Sequence, residues 1–166
     1  MEQASPDAFN LEIHDLRDVI SHRSVVAERI WRAWWEPDGQ PLSDVDEALD
    51  MVLSEEDFSF TLVAFSNGRF VGTATSIQTD IDARPDLGPC LAALWVEPEA
   101  RGRGVAGALI SAVLERLSSH GFAEAYLSAK PHMRGFYEKN GWTLIESDID
   151  RDHQDVFVRT LKQASA

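Results

Sequence analysis

The sequence predicts a mixed α/β fold, with helices on both faces of a central, mostly antiparallel mixed sheet. Three observations carry that expectation. Apolar residues alternate between a period of two and a period of about 3.6, in the order β-α-α-β-β-β-α-β-α-β-β. An Asn67-Gly68 pair separates two runs rich in β-branched and aromatic residues. Such a pair marks a hairpin because both positions accept positive φ. The continuous apolar run Cys90-Leu-Ala-Ala-Leu-Trp-Val96 suits a strand buried on both faces. With no repeat, low-complexity tract or dividing linker, the chain reads as one domain over 1–166, frayed at 1–7 and 163–166.

Each element follows from local pattern. Residues 9–13, FNLEI, alternate apolar and polar as a half-buried strand does. From about Asp18 to Trp35 the spacing of Val26, Ile30 and Trp34 puts them on one helical face. Glu36-Pro-Asp-Gly-Gln-Pro41 breaks that helix, and Ser43 stands where a cap would start another, with Val45, Leu49, Val52 and Leu53 inward. Residues 58–66 and 70–78 form the hairpin, and a polar loop over 79–89 leads to the apolar strand. A helix then runs to about Ser119 on a stripe of Ala106, Leu109, Ile110, Val113 and Leu117, and Gly121 ends it. Residues 124–129 read as a strand, 134–140 as a short helix, and 142–146 and 156–161 as two last strands.

Composition removes several function classes. Fifteen Lys and Arg against 28 Asp and Glu give a formal charge of −13. Nucleic acids and anionic membranes need a basic footprint, so neither is an expected partner. Cys90 is the one cysteine, which permits no intrachain disulfide and fits a reducing compartment. The first residues lack the basic and apolar regions of a signal peptide, and no apolar run is long enough to span a bilayer. The expected location is cytoplasmic. His14, His22, His120, His132 and His153 are scattered, with no H-E-x-x-H or Cys/His pairing, so no metal is expected. No G-x-S-x-G nucleophile elbow is present either.

The most informative stretch is Gly102-Arg-Gly104-Val-Ala-Gly107, which spells G-x-G-x-x-G. A dinucleotide site needs its first glycine almost directly after the strand and an acid at the end of the next strand. Here Glu97-Pro-Glu-Ala-Arg101 intervenes, and the next strand ends Leu127-Ser-Ala129. The phosphate physics survives that rejection. Backbone N–H groups at a helix start favour an anion, glycines allow close approach, and Arg101 and Arg103 add positive charge.

The run Val96-Glu-Pro-Glu-Ala-Arg-Gly-Arg-Gly-Val-Ala-Gly107 resembles the acetyl-coenzyme A loop of the GNAT N-acetyltransferases. Their pattern is Q/R-x-x-G-x-G/A, matched in order by Arg101, Gly104 and Ala106. Further along, Gly135-Phe-Tyr-Glu-Lys-Asn-Gly-Trp142 is similar to the family's FYEKxGF ending, with tryptophan for the last aromatic. The element order also resembles the family fold over nearly the whole chain.

The resemblance implies a reaction and a site. Coenzyme A would lie across the strand ending Leu94-Trp95-Val96, with its pyrophosphate on Arg101, Gly102, Arg103, Gly104, Val105, Ala106 and Gly107. Acetyl-CoA would be the co-substrate, its acetyl group passing directly to a primary amine. Tyr137 matches the family tyrosine thought to protonate the departing thiolate. An acid of pKa about 10 suffices for so good a leaving group. The base is open. Some relatives carry a glutamate where this chain has Cys90, whose thiol does not readily take that role. Asp86, Glu97 and His132 remain candidates, acting through water. Lys130 stands where many relatives place a coenzyme-contacting asparagine.

In this fold the segments Trp34-Trp-Glu-Pro-Asp38 and Asp80-Ile-Asp-Ala-Arg-Pro-Asp86 would frame the acceptor. Tryptophan faces with carboxylates suit a small cationic amine or a peptide amine. The plainer reading places Trp31 and Trp34 in the core and leaves the acids to solvate loops. A non-catalytic acyl-CoA sensor or partner-binding domain is the alternative function, and a homodimer is compatible with the resemblance.

Overall fold

The computed structural model describes residues 9–54, 57–150 and 152–162. The ends expected to fray, 1–7 and 163–166, lie outside the described residues. Among the described residues, seven strands form one sheet in the order β1-β2-β3-β4-β5-β7-β6. They are β1 Leu11–Asp15, β2 Phe60–Ser66, β3 Arg69–Ile77, β4 Cys90–Val96, β5 Glu124–Ala129, β6 Thr143–Ile149 and β7 Gln154–Thr160. Five neighbouring pairs are antiparallel, and β4–β5 alone is parallel. This is the mixed, mostly antiparallel sheet that the sequence predicts.

Period two divides one strand between two cores. In β2, Phe60, Leu62 and Ala64 face one cluster with Val105, Leu109, Val113 and Leu117 of helix α3 (Val105–Ser119). Val63 and Phe65 face the other, with Val26, Ala27 and Ile30 of α1 (Arg23–Ile30) and Val45 and Leu49 of α2 (Leu42–Leu53). Helix α4 (Arg134–Lys139) packs on the α3 side through Tyr137. The hairpin turns as expected, with Asn67 at φ 52 and Gly68 at φ 80. Gly121, at φ 90, closes α3.

Four local expectations are corrected. The helix expected over 18–35 is three pieces: a 3₁₀ segment Leu16–His22 kinked at Val19, then α1, then a π turn Trp31–Trp35 in which the Glu36 N–H reaches the Trp31 carbonyl. That turn holds one residue more than an α turn, which rotates the chain beyond it by roughly 100°. Trp34 therefore leaves the buried face and is 39 % exposed. Ser43 does not cap α2; Pro41 holds the cap position with extended backbone, and Ser43 falls inside the first turn. Ala106 is only half-buried, and Val105 joins the α3 stripe in its place. In β4 only Cys90 and Leu91 are fully buried, because β5 flanks it at one register pair and then departs.

Candidate active site

The site begins where the sheet fails to close. β4 and β5 meet in register at Cys90 and Tyr126 only, so the β4 edge beyond Cys90 has no strand ladder on that side. On its other side β4 pairs with β3, but Thr73 and Thr75 face Trp95 and Ala92, so β4 carries one extra residue. Such a bulge re-aims the chain. Ala93 absorbs it at φ 50, a left-handed conformation costing about 1–2 kcal/mol for a residue with a side chain. Leu94 and Val96 therefore pack toward the α3 core, while Trp95 lies edge-on to Trp34, 6.5 Å between ring centres.

At the far end of β4 the chain turns through the short 3₁₀ segment Pro98–Ala100 into the glycine loop. Gly102 (φ 77) and Gly104 (φ 82) need the left-handed region, and Gly104 starts α3 with no side-chain cap. Beyond its chain neighbours and its own helix backbone, a Cβ built at Gly102, Gly104 or Gly107 would meet no atom of the chain within 4 Å. Gly107 is the telling case. A helix-interior glycine costs about 1 kcal/mol relative to alanine, and nothing in the chain crowds this one. The first turn of α3 thus presents uncapped N–H groups on an uncrowded surface, as an anion site requires. Arg101 and Arg103 are exposed beside it. The Arg101 Nε donates to the Val96 carbonyl at 3.0 Å, and its guanidinium lies over the Trp95 ring at 4.9 Å. The Arg103 guanidinium lies over Phe9 at 5.3 Å.

Tyr137 stands on α4, in the core cluster against which Leu94 and Val96 also pack. Its ring is held by Phe136, Trp142 and Phe157 at 5.1, 6.2 and 5.6 Å. The residue is 7 % exposed, and burial pushes its hydroxyl up to about 12. The phenol is protonated at neutral pH, as a donor must be, and burial makes it a weaker acid than a free tyrosine.

The three carboxylate and imidazole candidates for the base are not gathered at one point. Asp86 is exposed and paired with Arg84 at 3.0 and 3.1 Å, which holds its carboxyl below the usual range. Glu97 is buried and occupied, accepting from Arg29 Nε at 2.9 Å and Trp95 Nε1 at 3.1 Å. It lines a depression of about 320 Å³ with Arg29, Arg32, Trp95, Pro98 and Glu99. His132 is exposed on the turn Pro131–Met133, and Lys130 is exposed just before it. Burial pushes the Cys90 thiol up to about 11, and its Sγ donates to the Leu87 carbonyl at 3.3 Å. A thiol so held is a poor base.

Sequence pattern alone does not single out Asp80 as a base. Its backbone N–H lies against the Cys90 sulfur, on the face where β4 leaves β5. The residue is open to solvent, yet enough protein surrounds its carboxyl to push it up to about 6, with Asp82 adding to the rise. No hydrogen bond or ion pair engages that carboxyl among the described residues. The loop carrying it is anchored by Ile81 and Leu87, both buried with Cys90 and Val156, and by Arg84, whose Nη1 reaches Glu146 of β6 at 2.5 Å. The signals in the sequence are Ile81, set between two aspartates, and Leu87, the two large apolar residues of a polar loop. Among the described residues, no three His, Cys, Asp or Glu side chains converge as a metal ion would need, and no helix is long and apolar enough to cross a membrane.

The acetyltransferase (GNAT) family model matches residues 26–142. The chain belongs to the GNAT family. This GNAT acetyltransferase is therefore an acyl-CoA-dependent N-acyltransferase. Its fold is shared with an aminoglycoside 6'-N-acetyltransferase complexed with coenzyme A: TM-score 0.71, 17 % identity, 93 % of this chain and 99 % of that one. Aminoglycoside 6'-acetyltransferase type Ii gives TM-score 0.71 at 20 % identity, with 93 % and 99 % coverage. An acetyltransferase from Streptococcus agalactiae gives 0.69 at 17 %, with 91 % and 98 %. No curated protein matches the sequence.

Proposed function

We propose that this GNAT acetyltransferase transfers the acetyl group of acetyl-coenzyme A directly to a primary amine of a small cationic molecule or a peptide. One observation carries the reading: the β4 edge opened beyond Cys90 leads to an uncapped helix start whose glycines no protein atom crowds. The loop from Arg101 to Gly107 fits a pyrophosphate, through N–H donors, the helix dipole and two guanidinia. The open edge at Leu94, Trp95 and Val96 offers its backbone to the arm that carries the thioester. As a co-substrate, acetyl-coenzyme A supplies the activated acyl group. A coenzyme A complex of a protein with the same fold supports its use here.

The chain's own groups then have defined tasks. Asp80 takes the ammonium proton through water, since a carboxyl near 6 is ionised at neutral pH and basic enough to share that proton. The amine nitrogen bonds to the thioester carbon, and a backbone N–H by the Ala93 bulge stabilises the oxyanion. The carbon–sulfur bond breaks, Tyr137 gives its proton to the departing thiolate, and the surplus proton on the new amide nitrogen passes through water to restore the phenol. Holding both reactants in one cleft contributes much of the rate. Asp80 and Asp82 by charge, and the exposed ring of Trp34 by its face, suit a cationic acceptor. The aminoglycoside acetyltransferases that share the fold support that class.

Calorimetry with acetyl-coenzyme A, followed by thiol release over an amine library, tests the reading. Binding, with release for polyamines, aminoglycosides or basic peptides, is expected. Release for neutral or acidic amines alone overturns the acceptor class, and binding without release for any amine leaves an acyl-CoA sensor.

A further inference from the structure

Asp155, the second residue of β7, has a fully shielded side chain, 0 % exposed. Its carboxylate is held on both oxygens by Arg134, Nε at 2.9 Å and Nη2 at 2.7 Å. Residues two apart on a strand share a face, so Asp155 points the same way as Phe157, whose ring lies 5.6 Å from that of Tyr137. Residues three apart on a helix are neighbours, so Arg134 and Tyr137 descend together from α4 onto that strand. In register, Asp155 is paired with Ala129, the last residue of β5 and hence of the strand that walls the open cleft.

Helix α4 has six residues, too few to hold its own shape or direction in water. Its orientation is set by what docks it: the Tyr137 ring among Phe157 and Trp142, and the Arg134 fork on Asp155. These two anchors differ in kind. A ring in an apolar pocket can slide and tilt at little cost, whereas a two-bond guanidinium–carboxylate contact fixes a plane and a direction. The choice is costly in other respects. The pair desolvates the Asp155 carboxylate, with Arg134 itself 43 % exposed, where β7 otherwise continues as Val156-Phe157, and an apolar residue at 155 would carry no such desolvation cost. It also puts a cation in the first turn of a helix, against the dipole. What it adds is angular definition of α4, and so of the Tyr137 hydroxyl.

We propose that Arg134 and Asp155 are positioning residues that aim the Tyr137 hydroxyl at the departing thiolate sulfur. This rests on the reading of Tyr137 as the acid, and the test keeps the two apart. In the full chain, kcat and the KM for acetyl-coenzyme A are measured for Arg134→Gln, Arg134→Lys, Asp155→Asn and Tyr137→Phe, and for Arg134→Gln combined with Tyr137→Phe. Thermal unfolding of each variant confirms that it is folded. Arg134→Gln is expected to lower kcat about tenfold to a hundredfold, as misplacement of about 1 Å does, with KM for acetyl-coenzyme A within about twofold. Lysine, a point charge without the fork, is expected to restore little. In the Tyr137→Phe background the same Arg134 change is expected to alter kcat less than about twofold, because there is no hydroxyl left to aim. Equal losses in both backgrounds, or full recovery with lysine, would overturn the positioning role while leaving Tyr137 as the acid. An unchanged kcat in Tyr137→Phe alone would remove the acid, and this proposal with it. Should Arg134→Gln not fold, the same cycle with Arg134→Lys or Asp155→Asn decides between these outcomes.

Discussion

β2 and β4 are both seven-residue apolar strands of one sheet, and they are used in opposite ways. β2 is buried along its whole length, paired with β1 from Leu62 to Ser66 and with β3 from end to end with one register shift after Ala64, and has a core on each face. β4 is buried at Cys90 and Leu91, bulged at Ala93, and half-buried from Ala92 to Val96. The first strand spends its hydrophobicity inside the chain. The second leaves part of it at an open edge, beside the glycine loop proposed to hold a diphosphate. Apolar character therefore does not by itself say whether a strand's partner is protein or ligand; the neighbouring ladder does.

That contrast can be broken by substitution. Phe60→Ala removes a fully buried ring from β2 and is expected to cost about 3–5 kcal/mol in denaturant unfolding, the range for a buried phenylalanine. Leu94→Ala, from the half-buried end of β4, should cost well under half of that and should instead raise the KM for acetyl-coenzyme A. Equal losses of stability would show that β4 is as much core as β2. At the end of that edge, Gly104→Val puts a β-branched side chain at φ 82 in open space. The strain costs about 1–2 kcal/mol of stability, and isothermal titration should show acetyl-coenzyme A binding weakened about tenfold or more. Unaltered affinity would move the diphosphate elsewhere. The smallest effect concerns Asp80. With its carboxyl raised to about 6, kcat/KM should fall on the acid side with a limb near that pH, and Asp80→Asn should abolish the limb. The sign for stability is opposite to that of an ion-paired carboxylate. The raised group favours the protonated fold, so its contribution is full below about 4 and is lost as pH rises through about 6. Asp80→Asn should therefore gain stability relative to the parent at pH 7 and not at pH 3.5, as read by thermal shift.

Much of the molecule is legible from period and punctuation. The β4 and β5 boundaries, the Asn67-Gly68 turn and the α3 stripe from Leu109 to Leu117 follow from local chemistry alone, and so do the loop glycines. The features that escape a reading of the sequence depend on partners far apart in the chain. The π turn at Trp31–Trp35 has no period of its own, and it turns Trp34 outward against the helical pattern. The exposure of residues 92–96 comes from β5 diverging, which no pattern within β4 records. Asp80 reads as one acid among several until Ile81, Leu87 and the Arg84–Glu146 contact pin its loop over Cys90. The Arg134–Asp155 clamp joins residues 21 apart in sequence, and only the fold makes them neighbours.

The added residue in the Trp31–Trp35 turn has a consequence for how this protein can vary. Helical phase acts there as a dial: one residue more or fewer swings Trp34 between the interior and the wall above Trp95. A single insertion or deletion in that turn can thus redirect Trp34, with the glycine loop and the sheet beneath it left untouched.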